Sequence, residues 1–398
     1  MKVVALHTDF RIYWPARLKA LSEELASRGD TLEVIEIAGE GSHYSFAGNN
    51  DTLGMTWHIL FPESKPEELS GETIEPVLFE LLTLIKPDVI LAGAIAFPSG
   101  ALAVKWGQMH HSRILIFDDS KLEAVRRNPI VNFVKRAVYN GVDAMFYPAQ
   151  DWMNTGRFWG FSDDEMFFGV DVVDNDFWSK SRKTSHNAWG DYFVAVGRQI
   201  PKKNYFEVVV AYNKYLKTIG ENNPYNLVLI GDGPERGRIE QYVIESGLSD
   251  RVILLPFLRQ EELPVVYQNA KALICNSNSS ETWGLVINEA MAGGCPVFAS
   301  YECGASNVLV KEDINGYKFK CNDVEMLAEC MVRYHNLNPH MQLAMRDSSR
   351  NIIEKWGLPR FANGAVEAMN YVMSHPKRRT GLIDKLIINK WHGQYRPI

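Results

Sequence analysis

Ser277-Asn278-Ser279-Ser280-Glu281-Thr282-Trp283-Gly284-Leu285-Val286-Ile287-Asn288-Glu289-Ala290-Met291-Ala292-Gly293-Gly294-Cys295-Pro296-Val297 is the stretch whose reading decides the fold. An apolar strand, Ala272-Leu273-Ile274-Cys275, runs into it, and a second, Pro296-Val297-Phe298-Ala299, runs out. Between them Leu285 to Met291 reads as a helix that starts near Gly284. A strand feeding a helix through a Ser/Asn/Gly loop leaves unpaired backbone N–H groups where an anion can sit. Glu281 stands in the loop, and Glu289 lies about one and a half turns into the helix. A carboxylate accepts through both oxygens and so can hold a vicinal diol. This order of groups predicts a diphosphate at the helix start, a ribose on Glu289 and a hexose on Glu281.

Composition sets the frame around that stretch. The 398 residues suit two domains of ordinary size, and 46% hydrophobic with 23% charged residues is an ordinary globular balance. A net charge of -6 argues against nucleic acid as a bulk partner and leaves local basic faces open. Cys275, Cys295, Cys303, Cys321 and Cys330 are odd in number and lack Cys-x-x-Cys spacing, so buried reduced thiols in a cytoplasmic protein are expected. The N-terminus turns polar too early for a signal peptide. The uncharged run from Val89 to Val104 falls short of the roughly 20 residues of a membrane span, and Gly93, Pro98, Ser99 and Gly100 interrupt it.

Strands are expected at 2–6, 31–37, 89–92, 113–117 and 143–147, with helices at 15–28, 75–85, 99–107, 129–139 and 151–159. Residues 39–73 are polar with scattered aromatics and read as irregular, and the aperiodic 171–190 reads as a linker. Beyond it, strands at 192–196, 226–230, 252–255, 272–275 and 296–299 alternate with helices at 204–218, 234–246, 261–269 and 285–292. Such alternation predicts an α/β protein of two doubly wound parallel sheets. Ligands of such sheets gather beyond the carboxyl ends of the strands. That filter selects Arg198 to Lys203, Gly231-Asp232-Gly233 and Pro256-Phe257-Leu258 in the second half. In the first half it selects His7-Thr8-Asp9 and Asp118-Asp119-Ser120, whereas His110-His111 precedes its strand and reads as surface. Gly231 and Gly233 serve a purely structural turn as well as a ligand contact. Asp119 or Ser120 equally suits a helix N-cap.

Glu281 and Glu289, within Glu-Thr-Trp-Gly-Leu-Val-Ile-Asn-Glu-Ala and followed by Gly-Cys-Pro-Val, resemble the E-x7-E motif of retaining GT-B glycosyltransferases of the GT4 type, the group 1 glycosyltransferases. Gly197-Arg198-Gln199-Ile200-Pro201-Lys202-Lys203-Asn204 resembles that family's Gly-Arg-Leu-x-x-x-Lys-Gly element, with Asn204 where glycine is usual. Gly231-Asp232-Gly233-Pro234 resembles its Gly-Asp-Gly-Pro turn, and 116–176 looks like a bacterial polysaccharide-type branch. The resemblance implies two Rossmann-like domains facing a cleft: residues 1–180 for the acceptor, 190–374 for the donor, and a tail, 375–398, crossing back to the first. It implies that Arg198 and Lys203 bind the diphosphate, and that Gly231, Gly233, Phe257, Leu258, Glu281, Thr282, Trp283, Gly284, Leu285, Val286 and Glu289 complete the donor site. Arg198, Lys203, Glu281, Asp118 and Asp119 are the implied catalytic group, with His7, Asp9, Arg11 and Ser120 on the acceptor side. Thr8-Asp9-Phe10-Arg11 replaces a Gly-Gly loop of many relatives, and Asp118-Asp119 stands where some carry histidine.

By the same resemblance the reaction needs neither metal nor cofactor beyond its UDP- or GDP-sugar. Asp118-Asp119 and Asp163-Asp164 are not a metal-binding Asp-x-Asp, and Arg198 and Lys203 take the metal's place. A hexosyl unit would pass to a glycan, lipid-linked or small hydroxyl acceptor as an α-glycoside. No side chain reads as a nucleophile, so the departing phosphate would take the acceptor proton. Two alternatives are a nucleotide-sugar epimerase on the same architecture and a non-catalytic sugar-nucleotide sensor. The basic, apolar tail from Lys377 to Trp391 reads either as packed on the first domain or as lying on an anionic membrane at the inner face. The helix around Arg126-Arg127 and Lys135-Arg136 shares both readings. Neither the sugar nor the oligomeric state can be read from these residues.

Overall fold

Short aliphatic runs without charge become the central strands, because a parallel strand is covered on both faces and has no side for polar residues. In the computed structural model, which describes residues 1–40, 52–124, 128–180 and 189–394, such strands build two parallel sheets. The chain divides into two compact units: Met1–Val172 with Leu358–Ile398, and Val173–Gly357.

The first unit holds β1 (Lys2–His7), β2 (Thr31–Ala38), β3 (Thr56–Phe61), β4 (Val89–Ala92), β5 (Arg113–Phe117), β6 (Ala144–Tyr147) and β7 (Met166–Phe168), in the order β3-β2-β1-β4-β5-β6-β7. The second holds β8 (Tyr192–Val196), β9 (Asn226–Ile230), β10 (Val252–Leu255), β11 (Ala272–Cys275), β12 (Val297–Ser300) and β13 (Gly316–Phe319), in the order β10-β9-β8-β11-β12-β13. Register is fixed by burial: Val3 pairs with Leu32 and Val89, and Leu273 pairs with Val194 and Val297. In each sheet the order reverses beside the first strand of the unit, between β1 and β4 and between β8 and β11. Loops leaving the two strands at a reversal diverge and leave a crevice, which is where such sheets bind ligands.

Three sequence expectations need correction. Residues 39–73 are not wholly irregular, since β3 pairs parallel with β2 at the sheet edge; 41–51 lie outside the described residues. The expected linker 171–190 contains a helix, Asn175–Ser179, capped by Asp174 and carrying the buried Trp178; 181–188 lie outside the described residues. Third, the helix Leu358–Ser374, assigned above to the second domain, belongs to the first unit. Its Phe361, Ala365, Val366, Met369 and Val372 share a core with Leu18, Leu21 and Leu25 of helix Trp14–Ser27. The boundary therefore falls at Gly357 rather than at 374. The following segment is fastened to the same unit: Lys377 Nζ donates to Ser112 O at 2.9 Å, Arg378 pairs with Glu165 at 2.9 Å, and Trp391 Nε1 donates to Ile95 O at 2.7 Å. All five cysteines are free and buried.

Candidate active site

At the β8/β11 reversal, two loops are stitched together before any side chain turns to a ligand. Asn204 takes φ +48°, in the left-handed region that asparagine tolerates better than most residues, and its amide donates to Asn276 O at 3.0 Å. That contact explains asparagine where glycine is usual: the backbone still turns left, and the side chain ties the β8 loop to the β11 loop. Asn278 N donates to Lys202 O at 2.9 Å and closes the seam.

The seam gathers four charged side chains. Lys203 Nζ stands 2.6 Å and Lys202 Nζ 3.7 Å from Glu281 Oε2, and the Lys203 and Glu281 side chains are each 14% exposed. Burial alone would raise the Glu281 pKa, but Lys203, Lys202 and Arg198 outweigh it and hold the carboxyl below its ordinary value. For Lys203 burial works the other way, and the Glu281 charge overrides it and pushes the ammonium up. Both stay charged at neutral pH. Arg198, Lys202 and Lys203 against Glu281 leave three positive charges and one negative, a surplus of two. A depression of about 260 Å³, open solvent included, lies beside them and is lined by Lys203, Tyr205, Asn276, Ser277 and Val286 among others.

The glycine turn after β9 exists for this loop. Gly231 and Gly233 have φ +133° and +155°, and a Cβ on them would stand 2.9 Å from Gly197 C and 2.8 Å from Gln199 C. Gln199 N donates to Asp232 O at 2.8 Å, and Gln199 Nε2 to Gly231 O at 3.0 Å. Both glycines therefore have a structural task, clamping the Arg198 loop. Phe257 and Leu258 are half-buried, and the Phe257 ring lies against Gly231.

The helix of the organising stretch is Val286–Ala292, with Leu285 at its N-cap. Thr282 is half-buried before it, and Gly284 turns the chain with φ +98°. Trp283 belongs to the core: its Nε1 donates to Asn288 Oδ1 at 2.8 Å and its ring packs 5.5 Å from Trp356. Glu289 is 3% exposed, and its Oε2 accepts from Tyr267 Oη at 2.7 Å. Tyr267, on helix Leu263–Asn269, escaped the sequence reading because nothing in its own neighbourhood marks it. Tyr267→Phe is expected to leave the fold intact and, if Glu289 holds the donor as proposed below, weaken nucleotide-sugar binding about three- to tenfold, the loss of one hydrogen bond. Donor KM with unchanged kcat checks it; an unaltered KM separates Glu289 from the donor.

At the β1/β4 reversal His7 ends its strand among Phe10, Trp14 and Phe117, with ring centroids 5.4, 5.8 and 5.1 Å away. Burial lowers its pKa to about 4, so the imidazole is neutral at pH 7. Gly93, after β4, leaves room for the His7 ring, which any Cβ there would strike. Asp9 pairs with Arg11 at 3.2 Å, and burial raises its pKa against that charge. Asp118 Oδ1 accepts from Ser120 N at 2.8 Å and Oδ2 from Tyr139 Oη at 3.3 Å, while burial raises its pKa. Asp119 offers its backbone oxygen to Trp152 Nε1 at 2.8 Å. Asn128, rather than Asp119 or Ser120, caps the helix Pro129–Tyr139.

Arg17 was missed: it is buried, donates to Val172 O from Nε at 2.9 Å and Nη2 at 2.7 Å, and lies 3.8 Å from Asp171. Burial and the Asp119 charge push Asp171 up to about 7 in spite of Arg17. His110 is exposed and stacks on Trp106 at 3.6 Å, as its position before β5 implied. Among the described residues no three His, Cys, Asp or Glu side chains are grouped to hold a metal ion.

With two parallel sheets in this strand order, the chain has the GT-B fold. Its coordinates match those of sucrose-phosphate synthase from Thermosynechococcus elongatus with a TM-score of 0.73, at 18% identity over 94% of this chain and 100% of that one. They match the Anabaena protein Alr3699/HepE in complex with UDP with a TM-score of 0.72, at 14% identity over 93% and 100%. Residues 176–351 match the model of the glycosyl transferases group 1. Among curated proteins, the alpha-monoglucosyldiacylglycerol synthase of Acholeplasma laidlawii is 27% identical over 135 residues. That alignment spans a third of each, 33% of this chain and 33% of the synthase.

Proposed function

We propose that the chain is a retaining, metal-independent hexosyltransferase that takes its sugar from UDP or GDP. The observation that carries this reading is the cluster of Arg198, Lys202 and Lys203 around Glu281 at the β8/β11 reversal. Its surplus of two positive charges matches a nucleoside diphosphate, whose charge grows as the sugar leaves. Hydrogen bonds to charged groups contribute about 1.5–3 kcal/mol each, so two such cations supply several kcal/mol to a departing diphosphate. Lys203 exchanges Glu281 for a phosphate oxygen when the donor arrives, and Glu281 then offers its oxygens to sugar hydroxyls. Glu289, positioned by Tyr267, takes the ribose. The acceptor binds to the first unit near His7, Asp9 and Asp118, and its proton goes to the departing phosphate. The solved Anabaena neighbour is a UDP complex, which favours a uridine donor. Five buried free thiols suit a reducing, cytoplasmic setting.

Incubation with UDP-, GDP- and ADP-sugars without acceptor tests the reading. Slow release of nucleoside diphosphate and free sugar, at roughly 10⁻³ of a transfer rate, is the expected outcome, because water replaces an oriented acceptor poorly. An epimerised sugar nucleotide, or binding without any turnover, contradicts it.

A further inference from the structure

Two helices of the first unit turn apolar side chains to solvent side by side. Helix Pro129–Tyr139 exposes Ile130 (75%), Val131 and Phe133 (59%). Helix Leu382–Lys390 exposes Leu382 (83%), Ile383 and Leu386 (69%). They are neighbours: Asn140 Nδ2 donates to Asp384 Oδ2 at 3.2 Å, and Ile388 packs against Gly141. Their inner faces are already used, since Ala137, Val138, Tyr139 and Ile388 are buried. The outward residues are therefore surplus to the core. A helix that only covers a core carries polar residues there, and a contiguous exposed apolar face marks an interaction surface.

Charge says what the surface meets. Residues 129–139 carry Lys135 and Arg136 and no acid. Residues 377–390 carry Lys377, Arg378, Arg379, Lys385 and Lys390 against Asp384 alone. Seven bases and one acid make +6, in a chain whose net charge is -6. Arg136, Arg379, Lys385 and Lys390 are exposed. Lys377 and Arg378 serve as anchors, through Ser112 O and Glu165, and Asp384 is turned inward to Asn140 and to Gly381 N. Trp391, bonded to Ile95 O, fixes the far end of the second helix. The apolar face is thus held in place rather than carried on a loose tail.

We infer that these two helices dock on an anionic bilayer, with Ile130, Phe133, Leu382 and Leu386 in the acyl boundary and the four exposed cations at the phosphates. A second copy of the chain would cover the apolar residues and set like charges against each other, so charge complementarity selects lipid. Among the described residues no helix is long and apolar enough to cross a membrane, and the association is peripheral. This surface is separate from the residues of the donor reading and stands or falls independently of it.

Co-sedimentation of the full chain with vesicles is the test, using phosphatidylglycerol–phosphatidylcholine mixtures and phosphatidylcholine alone, at low and high salt. Wild type is expected to pellet with the anionic vesicles, and the binding to weaken with added salt. Arg379→Gln/Lys385→Gln/Lys390→Gln is expected to lose on the order of 100-fold in vesicle affinity. Leu382→Ser/Ile383→Ser/Leu386→Ser is expected to release the chain while melting at the wild-type temperature, because these side chains are exposed. Absence of binding to anionic vesicles overturns the inference, as does undiminished binding of both variants. A concentration-dependent dimer broken by the apolar variant also overturns it, giving the face to a second copy.

Discussion

If the proposed reaction is right, Arg198→Ala, Lys203→Ala and Glu281→Ala are each expected to lower glycosyl transfer by roughly 10²–10³, the cost of one preorganised electrostatic contact. Their effects on the protein without nucleotide differ, and the difference is diagnostic. Lys203→Ala leaves Glu281 with Lys202 at 3.7 Å and the Arg198 charge nearby, so the carboxylate keeps partners. Glu281→Ala instead leaves Lys202 and Lys203 without the acid between them, on a side chain only 14% exposed in the case of Lys203. Removing one partner of a buried pair is the costly way to break it. Glu281→Ala should therefore melt below Lys203→Ala. It should also regain more of its melting temperature on adding UDP or GDP, since no carboxylate then competes with phosphate for Lys203. A nucleotide-induced shift no larger in Glu281→Ala than in wild type means that Lys203 does not change partners.

Gly304→Ala is the second large effect, and it comes from outside the charged cluster. A methyl at Gly304 collides with Thr282 O and stands 2.7 Å from Thr282 C and 3.1 Å from Trp283 Cα, all of them backbone. Gly304 N and Ala305 N donate to Glu281 O at 3.3 Å and Trp283 O at 2.9 Å, so the glycine is what lets this chain segment hold the Glu281 loop. The expected loss is about 1–3 kcal/mol of stability, the usual range for overpacking. A displacement of Glu281 by about 1 Å costs a further factor of roughly 10² in transfer rate. Gly237→Ala is the control, having open space around its Cβ in helix Arg236–Glu245; it should be neutral or gain up to about 1 kcal/mol. A Gly304→Ala protein that melts and turns over like wild type contradicts the packing account.

The parts of the fold legible in the sequence are those where burial on both faces leaves an unbroken apolar run. Val89–Ala92, Arg113–Phe117, Tyr192–Val196 and Ala272–Cys275 occupy the expected positions for that reason. β3 was illegible because an edge strand mixes Trp57 and His58 with Ile59 and Leu60 on half-exposed faces, and β7 is only three residues long. Helix Leu358–Ser374 fell inside the stretch given to the donor domain because its true owner depends on a stripe shared with Trp14–Ser27, far away in the chain.

The site divides in the same way. Arg198, Lys203 and Glu281 lie on loops after adjacent strands, where spacing alone nearly dictates proximity. Tyr267 meets Glu289 from another helix, and no local pattern announces that. Trp283 reads as a ligand contact by position in its motif, yet a large ring beside an apolar helix is claimed first by the core. Asn204, a departure from the family pattern in sequence, turns out to satisfy the same backbone requirement by a different residue.

The most direct measurement is calorimetric titration of UDP, GDP and plain uridine or guanosine into wild type and Arg198→Ala/Lys203→Ala. The diphosphate that binds wild type should lose on the order of 10² or more in affinity to the double variant, at about 1.5–3 kcal/mol for each lost contact. The nucleoside, which lacks phosphate, should bind both proteins alike. Equal diphosphate affinity in wild type and double variant would contradict the account at its centre.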